Sequence, residues 1–138
     1  KIHSNIYNPD YIIIVDETQI DNEVLKGIKD DTILIINTDE QRENISSRLS
    51  LTERQKERMV CIPATRISRK NLGKVFPNIP MLTGIIHNLN IYSKEEYLEE
   101  IEKKLRESFS DREELVKGNL NVAKETWEYL EENNKKKR

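Results

Sequence analysis

Tyr11-Ile12-Ile13-Ile14-Val15 is an unbroken apolar run, bounded by Asn8-Pro9-Asp10 before it and Asp16 after it. A strand with one wet face alternates apolar and polar positions, so this run predicts a central strand covered on both faces. Ile33-Leu34-Ile35-Ile36 repeats the pattern after Asp30-Asp31-Thr32, and Met59-Val60-Cys61-Ile62 is a shorter version closed by Pro63. Between the runs the period lengthens. Asn22 to Ile28 sets Val24, Leu25 and Ile28 on one side, predicting a short helix ended by Gly27 and the Asp pair. Thr38 and Gln41 fit a capping box for a helix after Asn37, with Ile45, Leu49 and Leu51 inward. Arg66 to Leu72 predicts a further helix stopped by Gly73. Strand, helix, strand, helix, strand is the signature of a parallel sheet with crossover connections.

The second part of the chain reads as helical. Pro77-Asn78-Ile79-Pro80 predicts a stiff turn, and Met81 to Leu89 a short, mostly apolar helix. Ser93 and Glu96 form a capping box ahead of Tyr97, Leu98, Ile101, Leu105 and Phe109, which recur at helical spacing. Ser110 and Glu113 offer another box. Val116, Leu120, Ala123, Trp127 and Leu130 then make one stripe along a terminal helix. Both stripes predict core or subunit-packing faces. With no linker, low-complexity tract or repeat, residues 1–138 read as one domain: an α/β core over 1–92 and C-terminal helices over 93–138.

Composition changes this picture mainly by exclusion. The 138 residues are 36% apolar and 35% charged, a mix that suits heavily charged helix faces. A net charge of −2 gives no basic field for nucleic acid, and the terminal Lys135-Lys136-Lys137-Arg138 reads as a solvated tail. The longest apolar runs are too short for a membrane helix, and no apolar leader precedes Lys1-Ile2-His3-Ser4, so a cytoplasmic location is the expectation. Cys61, the one cysteine, reads as a buried structural thiol; alone it cannot ligate zinc or an iron–sulfur cluster. The four glycines build neither a G-x-G-x-x-G nor a Walker loop. His87, within Ile85-Ile86-His87-Asn88-Leu89, reads as structural. No catalytic residue is named.

Candidate contact residues follow from the predicted topology. In a parallel sheet the loops after the strands share one edge, where ligands and partners gather. Asp16 and Thr18, Asn37 and Thr38, and Thr65 and Arg66 all follow predicted strands. Asp16 also suits a cap of the next helix. The planar fork of Arg66 fits a phosphate or a neighbouring carboxylate. Asn78 and Met81, at the stiff turn, are contact or packing residues.

Four stretches in order carry a family likeness. These are Ile2-His3-Ser4-Asn5-Ile6 with Pro9-Asp10-Tyr11; Asp16-Glu17-Thr18 with Gly27-Ile28-Lys29-Asp30; Ile35-Ile36-Asn37-Thr38; and Ala64-Thr65-Arg66-Ile67-Ser68 with Leu72-Gly73 and Asn78-Ile79-Pro80-Met81-Leu82. Together they resemble the gamma subunit or domain of thiamine-dependent 2-oxoacid:ferredoxin oxidoreductases, from Ile2 to about Leu130. Glu17 and Pro63 depart from that pattern, where Pro and Asp are usual, and Thr83 stands where Gly is usual, with Gly84 one place later. The resemblance implies a Rossmann-like, three-layer domain with a mainly parallel sheet and a helical C-terminal extension. It also implies a glycine-rich strand–turn–helix segment ahead of Ile2, which the chain lacks; residues upstream of Lys1 or a neighbouring chain are expected to supply it.

In function, the resemblance implies a part in oxidative decarboxylation of pyruvate or a related 2-oxoacid to an acyl-coenzyme A, with electrons passing to ferredoxin. Thiamine diphosphate, Mg and [4Fe-4S] clusters are then expected in partner subunits of alpha, beta and delta type. This chain would pack against the thiamine-binding subunits and help shape the coenzyme A-facing side. Thr65, Arg66, Asn78 and Met81 would face coenzyme A or a partner. No activity is expected of it alone. Two other readings stand beside this one: a stand-alone Rossmann-like module for a nucleotide or anion, and a purely structural oligomerisation domain.

Overall fold

The computed structural model describes residues 10–137, and for residues 135–137 the backbone only. The likeness carried by Ile2 to Pro9 and the charged side chains of Lys135 to Arg138 lie outside the described residues. Two compact units divide the chain, Lys1–Pro63 and Ala64–Arg138.

The first unit is a parallel sheet with short helices. Its strands are β1 (Tyr11–Ile14), β2 (Ile33–Asn37) and β3 (Val60–Ile62), in the order β1-β2-β3. The register pairs Ile14 with Ile36 and Asn37 with Ile62, so all three strands run the same way and end at one edge. All five residues of β2 are buried, as a central strand requires. β1 differs from expectation. Ile12 and Ile13 are only half-buried and Val15 is exposed, because among the described residues β1 is an edge strand. An apolar run alone cannot distinguish an edge from a centre.

The segment 22–28 also departs from expectation. Its backbone makes i to i+3 bonds, Leu25 to Asn22, Lys26 to Glu23 and Ile28 to Leu25, and forms successive turns rather than an α-helix. Gly27 at φ +79° marks where helical dihedrals fail. The inward side is nonetheless as expected, since Leu25 is buried and Val24 and Ile28 pack on the same core as Ile14, Leu34, Ile36, Ile45, Leu49 and Met59. Helix α1 (Arg42–Arg48) is capped at Gln41 without a side-chain bond. The Thr38 hydroxyl instead accepts from the Glu40 N–H, so the expected box does not form. A second helix, α2 (Glu53–Arg58), follows from a box that does form: Thr52 and Gln55 satisfy each other's backbone N–H groups. Cys61 is half-buried against this core rather than enclosed by it.

The second unit is all helix: α3 (Ala64–Leu72), α4 (Asn78–Leu89), α5 (Lys94–Ser108) and α6 (Glu113–Lys137). Gly73, at φ +73°, donates its N–H to the Arg69 carbonyl and ends α3 where expected. The Pro77–Pro80 stretch is not a separate turn. Pro77 caps α4, and Asn78-Ile79-Pro80 are its first turn. Proline fits there because first-turn N–H groups have no helical acceptor. The Ser93–Glu96 box forms with both hydrogen bonds. The Ser110–Glu113 box does not, since Glu113 is the first residue of α6 and its carboxylate binds Arg106. The two stripes meet: Tyr97, Ile101 and Leu105 pack with Val116, Ala123 and Trp127. No described helix is long and apolar enough to cross a membrane.

Candidate functional site

The edge where the strands end is built from short polar residues that bind one another. Past β1, the Asp16 carboxylate accepts from the Thr18 N–H at 2.9 Å and from its hydroxyl at 2.8 Å, capping a single 3-10 turn at Glu17–Gln19. Those two bonds hold the Asp16 carboxyl below the usual carboxylate range, the backbone bond acting most. At the end of β2, Asn37 donates its amide to the Val15 carbonyl at 2.9 Å. The Thr38 N–H donates to the Ile62 carbonyl at 2.9 Å. Asn37 and Thr38 are buried while Asp16 and Thr18 are exposed. The first unit therefore brings all four of these candidates to one edge, with Asn37 and Thr38 tying its strand ends and Asp16 shaping the loop that faces out.

The other four candidates belong to the second unit. Thr65 and Arg66 lie in the first turn of α3, Thr65 half-buried and Arg66 exposed. The Thr65 carbonyl accepts from the Ser68 hydroxyl, which in turn accepts the Phe76 N–H and so fixes the chain entering α4 against α3. Asn78 is exposed at the start of α4, whereas Met81 is buried at 4% exposure and acts in packing.

Two further features lie away from these candidates. A cleft of about 410 Å3 lies between α1 and α2, lined by Arg42, Glu43, Ser46, Ser47 and Lys56. Its Arg42 Nη2 donates to the Lys56 carbonyl and its Nε is enclosed, so this guanidinium joins the two helices. The sequence reading missed the cleft because α2 itself was missed, although Thr52 and Gln55 carry the capping-box signal for it. His87 stands edge-on to Trp127 at 4.8 Å, and Trp127 stacks on Tyr97 at 5.3 Å. Burial lowers the His87 pKa against an opposing pull from Glu131. That environment is a packing one. Among the described residues no three His, Cys, Asp or Glu side chains are placed to hold a metal ion.

The chain is 27% identical over 132 residues to the Pyruvate/ketoisovalerate oxidoreductases common subunit gamma of Pyrococcus furiosus, covering 95% of this chain and 66% of that protein. It is 25% identical over 131 residues to the Pyruvate synthase subunit PorC of Thermotoga maritima, covering 93% and 64%. A PorC of Methanosarcina barkeri is 32% identical over 97 residues, covering 67% and 50%. The chain thus spans no more than about two thirds of these relatives. In fold it matches the crystal structure of pyruvate oxidoreductase subunit PORC from Thermotoga maritima, with a TM-score of 0.66 and 23% identity over 89% of this chain and 64% of that one. The mixed α/β architecture, with three parallel strands and six helices among the described residues, is that of a Rossmann-like PorC structure. Residues 1–129 match the family described as Pyruvate ferredoxin/flavodoxin oxidoreductase, and the chain belongs to that family.

Proposed function

We propose that this chain is the gamma component of a thiamine-dependent 2-oxoacid:ferredoxin oxidoreductase, which converts pyruvate or a related 2-oxoacid to an acyl-coenzyme A. The observation that carries the reading is the family match over residues 1–129. Residues 1–138 act in it as one gamma-type domain of a cytoplasmic complex, packing on the thiamine-binding subunits without catalysing a step. Thiamine diphosphate, Mg and the [4Fe-4S] clusters belong to partners of alpha, beta and delta type; a chain with one cysteine lacks the thiolates for a cluster. Arg66 and Asn78, exposed at the starts of α3 and α4, are the best placed to meet coenzyme A or a partner, with Thr65 and Met81 supporting them.

The test is co-expression with the neighbouring subunits. Tagged chain is expected to recover thiamine- and cluster-bearing partners, and the purified complex to oxidise a 2-oxoacid while the isolated chain does not. In the complex, Arg66→Ala is expected to raise the KM for coenzyme A by about three- to tenfold and leave the KM for the 2-oxoacid unchanged. Turnover by the lone chain, or failure to recover any partner, defeats the reading.

A further inference from the structure

We draw no further inference here: the strongest candidate, the exposed apolar face of α4 formed by Leu82 and Leu89 and continued by Ile91 and Tyr92 in the turn before α5, carries none, because nothing in the structure shows what covers it.

Discussion

Thr83 and Tyr97 meet at 2.7 Å inside the second unit, and their donor order can be deduced. The Thr83 hydroxyl has one proton, and it goes to the Ile79 carbonyl at 2.8 Å. Tyr97 therefore donates to Thr83. Thr83→Val keeps the shape but leaves a buried phenol unpaired, so it is expected to cost about 1–3 kcal/mol by denaturant unfolding, with Thr83→Ser restoring most of it. His87 gives a pH dependence of known sign. Its folded pKa lies below the ordinary 6.5, because burial disfavours the cation. The unfolded chain then binds the proton first, so stability is full above about pH 6.5 and falls as pH drops through that value. His87→Asn is expected to flatten the fall in unfolding midpoint between about pH 7.5 and 5.5; an unchanged slope would assign it to other groups.

Among the elements, close approach decides as much as apolar content. A Cβ on Gly118 of α6 would lie 2.6 Å from Leu72 Cδ2 and 3.3 Å from the Asn71 carbonyl of α3. The Leu72 methyl can swing aside, whereas the Asn71 carbonyl belongs to a helix backbone. Alanine would gain about 1 kcal/mol of helix propensity, offsetting that displacement. The branched side chain of Gly118→Val cannot be accommodated so easily and is expected to cost about 1–3 kcal/mol, read as a lowered melting temperature. The contrast among capping signals is also instructive. Thr52–Gln55 and Ser93–Glu96 form boxes, but Thr38–Gln41 does not, because the Thr38 hydroxyl takes the nearer Glu40 N–H. The motif records a local possibility, and competing backbone donors choose among the possibilities.

On the scale of the whole molecule, each unit has its own apolar core, one about β2 and one about the α5–α6 stripes. β2 is buried throughout and bonded to a strand on each side, so its amides are expected to exchange slowest in the first unit and those of the 22–28 turns fastest. Hydrogen exchange followed by mass spectrometry measures both. Protection of 22–28 equal to that of β2 would contradict the turn assignment.

The sequence by itself determined the three strands, their parallel sense, the α5 cap and the stripes of α5 and α6. Each follows from side-chain periodicity or a capping pair, which are local properties. It also placed Asp16, Thr18, Asn37 and Thr38 at strand ends, and the sheet register gathers them at one edge. Tertiary structure decided the rest. Whether β1 is central depends on its neighbours in space, and whether 22–28 closes into a helix depends on i to i+4 bonds that its turns do not make. That Asn37 ties β2 to Val15, and that Leu82 faces outward while Met81 faces in, follow from packing. Periodicity reports which side of an element is apolar; only the arrangement of its neighbours determines which apolar side is covered.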